Sequence, residues 1–290
     1  MSRLTVLTGG TSGLGLQVLK DVLSADPGAR ALVLCRNQAR AFQMLNSLAQ
    51  PLKPRVDTVL CDVGDMDSVR QAAERIAKQA PAIDTLVLNA GIVRGSRSAD
   101  TLAVNHLGQF LLAALLQPQL LKGTQPRLLL VSSELHKGVT HPADPAQLLR
   151  RCRESPPPSA MELYRITKLF NVWTAAALAR RAGSRLWVGS VTPGFVPTTG
   201  LHRGSGMLAS LFMRWVMAWA PFAVSLSEGA RRISQLVLAE DPVSLGPSGS
   251  YFSKGQCTPA SAAGQDAAAA EQLFSLSMRE VGVDDFFGPP

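Results

Sequence analysis

Short runs of Leu, Val and other apolar residues recur along the chain at Leu4–Thr8, Ala31–Cys35, Val56–Cys61, Thr85–Leu88, Arg127–Val131 and Leu186–Val191. Most are nearly continuous rather than alternating, the pattern of strands covered on both faces in a parallel sheet. Between them lie helix-length segments: Leu14–Ser24, Gln38–Ala49, Asp67–Gln79, Thr101–Leu121 and Glu162–Ala182. Asp67 is placed to cap the third of these. Strand alternating with helix predicts an α/β fold, a doubly wound parallel sheet with helices on both faces. A seventh strand is expected at Ser250–Ser253 and a tail helix at Asp266–Val281. No linker divides the chain, so residues 1–290 are expected to form a single domain. Arg153–Ser159, with three consecutive prolines, is expected to be an exposed loop.

Composition narrows the picture. Apolar residues make up 46% of the chain and charged residues 17%, enough to build a core and too apolar for disorder. The net charge is +8, but the arginines are scattered and no groove-reading motif accompanies them, so no nucleic-acid partner is expected. Cys35, Cys61, Cys152 and Cys257 fit neither a zinc site nor a redox pair, and reduced cysteines favour a cytoplasmic location. His136 and His141 have no third ligand nearby, and no metal is expected. The start MSRLTVLTGG does not read as a signal peptide. Thr101–Leu121 has no charged residue and reaches membrane-spanning length. Asn105, His106, Gln109, Gln117 and Pro118 are poor choices for lipid, so the expectation is a helix buried in protein.

The first strand runs into Thr8-Gly9-Gly10-Thr11-Ser12-Gly13-Leu14-Gly15 and then a helix. Glycines there allow a sharp turn and close approach of a pyrophosphate, and the helix start offers unpaired N–H groups. With its spacing of Thr-Gly-x-x-x-Gly-x-Gly, the turn resembles that of the short-chain dehydrogenase/reductase family. The fold this implies is Rossmann-type. Strand two ends in Cys35-Arg36, where an NAD site usually carries a carboxylate; a guanidinium at Arg36, with Arg40 one turn on, suits a 2′-phosphate. The expected cofactor is therefore NADPH/NADP+, the alternative being a solvated arginine. The resemblance further implies adenine contacts from Asp62 and Val63 and a cofactor-flanking turn at Asn89, Ala90 and Gly91. Standing by itself, Asp62 would be a strand-end cap.

Tyr164 and Lys168 stand four apart, one turn of helix on one face. An ammonium near a phenol stabilises the phenolate and makes the pair a plausible acid/base. The resemblance supplies Ser133 as the residue holding the substrate oxygen. It gives Asn105 as support for a water relay to Lys168, the alternative being a satisfied core amide. Pro193, Gly194, Val196 and Thr198 are implied to close on the nicotinamide, while Tyr164 and Lys168 also contact the cofactor.

Val104-Asn105-His106-Leu107-Gly108, Glu228-Gly229-Ala230 and Tyr251-Phe252-Ser253 resemble the retinol dehydrogenase-like branch. Protochlorophyllide reductases share much of this, but Phe195 stands where they carry cysteine and Asn89-Ala90-Gly91 departs from their Asn-Ala-Ala. Residues 207–220 (MLASLFMRWVMAWA) fall in a variable substrate lid at about 200–226. Their composition suits a lipophilic small-molecule substrate or peripheral membrane contact, the alternative being a core or homodimer interface. The expected activity is NADPH-dependent interconversion of carbonyl and alcohol on a lipophilic substrate, with reduction favoured. The alternatives are reduction of a carbon–carbon double bond and a non-catalytic NADPH-binding sensor or scaffold.

Overall fold

The computed structural model describes residues 3–93, 95, 98–154, 158–197 and 223–287. All seven expected strands are present, each within one residue of its predicted bounds: β1 (Leu4–Thr8), β2 (Arg30–Cys35), β3 (Val56–Leu60), β4 (Thr85–Leu88), β5 (Arg127–Val131), β6 (Trp187–Val191) and β7 (Tyr251–Ser253). They form one sheet with β8 (Gln256–Thr258), in the order β3-β2-β1-β4-β5-β6-β7-β8. Only the pairing of β7 with β8 is antiparallel. Among the described residues the sheet therefore has eight strands, one more than the seven runs picked out from the sequence. The extra strand follows Lys254 and Gly255, both with positive φ (53° and 82°), the backbone of a tight hairpin.

Helices cover both faces because alternate strand residues are apolar on both sides. Along β5, Leu128 and Leu130 face one layer, while Leu129 and Val131 face the other. The first layer contains α3 (Met66–Gln79), α5 (Gly108–Leu120), α7 (Ala160–Ala182) and the tail helix. The second contains α1 (Gly13–Ala25), α2 (Gln38–Ser47) and α8 (Leu226–Leu238). The cap of α3 is Asp65, not Asp67: its carboxylate accepts from the amides of Asp67 and Ser68. Asp67 lies inside the first turn, where a negative charge still suits the helix dipole.

The apolar stretch expected to be one buried helix is α4 (Ser98–Leu102), a π turn (Ala103–Leu107) and α5. It is long and apolar enough to cross a membrane, yet 72% of its most apolar window is buried within the protein. Two of its buried polar residues are paired: Gln109 donates to the Ala90 carbonyl at 2.7 Å, and His106 bonds Ser277 at 2.7 Å. The tail helix α9 (Ala267–Val281) is part of the core, with Leu273 and Phe274 wholly buried. A short helix, α6 (Pro145–Arg151), occupies the insert ahead of Tyr164; beyond it Arg153 pairs with Glu280 of α9 at 2.6 Å. Of the proline loop, residues 155–157 lie outside the described residues. The strand order reverses between β1 and β4, and in open sheets that switch point is where ligands bind.

Candidate active site

At the switch point the turn after β1 meets the turn after β4. The Thr8 hydroxyl accepts from the amides of Asn89 and Ala90, both at 2.9 Å, and donates to Gln109 Oε1 at 3.1 Å. The Asn89 side chain donates to the carbonyls of Thr8 and Gly9. A Cβ on Gly15 would sit 2.4 Å from the Gly9 carbonyl, and Gly9 itself has φ +69°. Helix α1 and loop therefore close to a spacing only glycine permits. No acidic residue stands in that first turn, so the positive end of the helix is left for an anion. At the end of β2, Arg36 and Arg40 are both exposed beside the buried Cys35. Asp62 Oδ1 accepts from the Gly64 amide at 3.0 Å, so this carboxylate also shapes the turn after β3.

Across the sheet, β5 and α7 bring three side chains together. Ser132 donates to the Lys168 carbonyl at 2.7 Å, which ties the helix to the strand end. The Lys168 ammonium donates to the Val131 carbonyl at 2.8 Å and lies 5.4 Å from the centre of the Tyr164 ring. Burial brings the lysine pKa down to about 8. The Tyr164 hydroxyl is hydrogen-bonded to the Ser133 side chain. Burial nevertheless keeps its pKa above the ordinary phenol value, so the phenol is protonated at neutral pH. Asn105, on the π turn, accepts from the Ile92 amide and donates to the Ile92 carbonyl, both at 2.8 Å, and to Thr167 at 3.0 Å. It is a satisfied core amide in this arrangement. A Cβ on Gly91 would lie 3.4 Å from both Asn105 Oδ1 and Lys168 Nζ, so the two groups flank one narrow gap.

The chain has relatives among known proteins. A short chain dehydrogenase family model matches residues 3–141. A protein of Streptomyces sp. (strain C5), described as a candidate daunorubicin C-13 ketoreductase, is 33% identical over 97% of this chain and 93% of its own. The chain belongs to the short-chain dehydrogenase/reductase family. Human retinol dehydrogenase 12 is 30% identical over 97% of this chain and 87% of its own. Solved structures share the fold. One from Burkholderia cenocepacia, in complex with NADP, gives a TM-score of 0.65 at 22% identity, over 87% of this chain and 96% of that one. Salutaridine reductase from Papaver somniferum gives 0.65 at 20% identity, over 86% and 99%.

Within this short-chain dehydrogenase/reductase, Gly9, Thr11, Ser12, Gly13, Leu14 and Gly15 form the turn at the start of α1. The structure brings Ser133, Tyr164 and Lys168 together. Pro193, Gly194 and Val196 form the turn after β6, whereas Thr198 lies outside the described residues. So do residues 198–222, and with them most of the expected lid. Several supporting residues were not anticipated. Arg232 on α8 donates to the Pro193 carbonyl at 3.2 Å and pairs with Glu228 at 3.0 Å, bracing the turn from behind. Tyr251 donates to Glu134 at 2.8 Å and is bonded to the Thr192 side chain, so it links the ends of β5 and β6. Burial alone would raise the Glu134 pKa, but bonds from Lys137, Ser253 and Tyr251 outweigh it and hold it at about 2. Glu228 and Tyr251 lie inside motifs already noted for the family resemblance, but nothing in the sequence pointed to these bonds.

Proposed function

We propose that this oxidoreductase uses NADPH to reduce a carbonyl to an alcohol on a lipophilic molecule. The observation that carries the reading is the convergence of Ser133, Tyr164 and Lys168 at one strand end. The residues present suit the cofactor. The glycine-lined start of α1 offers amides to a pyrophosphate, and Arg36 with Arg40 offers charge to a 2′-phosphate where no carboxylate intervenes. Asp62, Val63 and the Asn89-Ala90-Gly91 turn would flank the adenosine side. Pro193, Gly194, Val196 and Thr198 would flank the nicotinamide, and Lys168 the adjoining ribose.

When bound, the nicotinamide supplies the hydride. Tyr164, held protonated by burial, donates the proton to the oxygen as charge develops there. Ser133 donates a hydrogen bond to the same oxygen and so favours the charged form. Lys168, 5.4 Å from the ring, stabilises the phenolate that remains. In the reverse direction the same groups take up a proton from an alcohol. The lipophilic substrate class is supported by the Met-, Phe- and Trp-rich residues 207–220 and by the names of the relatives, a retinol dehydrogenase and a ketoreductase.

The test is NADPH oxidation with a panel of hydrophobic aldehydes and ketones, retinal and an anthracycline ketone among them. Tyr164→Phe is expected to abolish turnover and leave NADPH binding within about twofold, because only the proton donor is lost. Turnover retained by this variant would sink the assignment. Arg36→Ala is expected to weaken NADPH about tenfold or more and to leave NADH nearly unchanged, the loss of one charge-assisted phosphate contact. Equal losses for both cofactors would refute that contact.

A further inference from the structure

Ser133 is held from behind by a side chain that takes no part in the chemistry above. His136, in the 3-10 turn Glu134–Gly138 that follows β5, is wholly buried. Its Nδ1 lies 2.7 Å from the Ser133 carbonyl oxygen, and its Nε2 lies 3.2 Å from the Ser261 amide nitrogen. A carbonyl only accepts and a backbone N–H only donates. The two bonds therefore fix one neutral tautomer, with the proton on Nδ1.

The far end of this bridge returns to the helix that carries Tyr164. Ser261 accepts from the Gly264 amide at 3.1 Å and so anchors the turn Ala263–Gln265. The Ala263 carbonyl in turn accepts from the indole of Trp173, on α7, at 2.7 Å. A closed circuit results: Ser133 to His136, to the 261–265 turn, to Trp173, and along α7 to Tyr164. The Tyr251 ring stands edge-on to His136 at 4.8 Å and closes the side of the circuit.

We propose that His136 is a positioning residue that sets where Ser133 sits relative to Tyr164. The inference rests on the reading of Ser133 as the holder of the substrate oxygen. An error of a few tenths of an ångström in the serine carbonyl moves the hydroxyl by a similar amount, and oxygen-holding donors act only at short range.

Two variants separate the two bonds. Asparagine places its amide nitrogen near the Nδ1 position, so His136→Asn keeps the bond to Ser133 and loses Ser261. Glutamine reaches the Nε2 position instead, so His136→Gln keeps Ser261 and loses the side-chain bond to the Ser133 carbonyl, which is left with the residue-136 backbone amide at 3.1 Å. Both are measured with NADPH and the panel carbonyl that turns over fastest, alone and in a Ser133→Ala background. The expected result is a kcat loss of about tenfold or more for His136→Gln and about threefold or less for His136→Asn, with NADPH affinity unchanged. In the Ser133→Ala background, His136→Gln is expected to cause no further loss. Equal damage from both variants, or full additivity with Ser133→Ala, would overturn the proposal and leave His136 a structural residue. Full activity of Ser133→Ala alone would instead sink the reading of Ser133. The nitrogen-15 shifts of the unmodified protein give a readout independent of substrate: the proton is expected on Nδ1, and a proton on Nε2 would overturn the proposal.

Discussion

Lys168 is buried with its ammonium on the Val131 carbonyl, and burial lowers its pKa to about 8. Below pH 8 both the folded and unfolded chains carry this charge, and the fold bears a desolvation cost. Between pH 8 and 10.5 the unfolded chain still binds the proton and the folded one does not, so this group makes the fold more stable as pH rises. Activity runs the other way. In the proposed mechanism the ammonium stabilises the phenolate, so on that reading reduction is expected to fall off above about pH 8. Lys168→Met should abolish turnover yet raise the melting temperature near pH 7, and a lower melting temperature would refute the argument. The Val131 carbonyl keeps a partner in the variant, because Asn171 donates to it at 3.1 Å. The spacing of Tyr164 and Lys168 put them on one helix face, whereas Ser133 was singled out only through the family resemblance. His136 was not, since a lone histidine on a polar turn has no pattern, and its partner at 261 is distant in sequence.

At the scale of elements, continuous apolar runs located the strands because both sheet faces are covered. The strand β8 escaped because Gln256-Cys257-Thr258 is short, largely exposed and paired on one side only. Asp65 and Asp67 both precede the apolar stripe of α3, and only the backbone angles of the entering chain decide which one caps. Helix packing also explains the Glu228-Gly229-Ala230 motif. A Cβ on Gly229 would fall 2.7 Å from Val196 Cγ2 and 3.1 Å from Leu14 Cδ2. The start of α8 thus wedges between the turn after β6 and the glycine turn. Gly229→Ala is expected to push those turns apart, weakening NADPH binding about fivefold or more, with a smaller effect on kcat. Unchanged cofactor affinity would show that the wedge is slack.

For the whole molecule, two polar side chains tie distant parts of the chain across its layers. Arg127, buried at the start of β5, donates to the carbonyls of Leu236 and Val237 at 3.0 Å and so closes the end of α8. His106 joins the π turn to α9 through Ser277 and is held neutral, its pKa lowered by burial to about 3. The unfolded chain binds a proton near pH 6.5 that the folded chain refuses until about pH 3. Stability should therefore fall across that window by up to about 1.4 kcal/mol per pH unit from this group alone. His106→Phe, tested by denaturant unfolding at pH 7 and pH 5, is expected to show a shallower loss on acidification; an unchanged slope would exclude His106 as a source. The tail's place in the core was hard to read because Ala-rich helices resemble one another, whereas its Leu273 and Phe274 find their partners only in three dimensions.

The turn after β6 and the strand-like residues before α8 meet at a closed neck: Phe195 pairs with Ala223, and the Val224 amide donates to the Phe195 carbonyl at 2.8 Å. Whatever stretch runs between those two points leaves and rejoins the scaffold at a single place. Changing the length of a loop with joined ends costs little, about 0.6 kcal/mol per doubling. On the proposed reading of residues 207–220 as the part that meets a lipophilic substrate, an exchange made between those two points would change ligand choice and leave Ser133, Tyr164 and Lys168 in place.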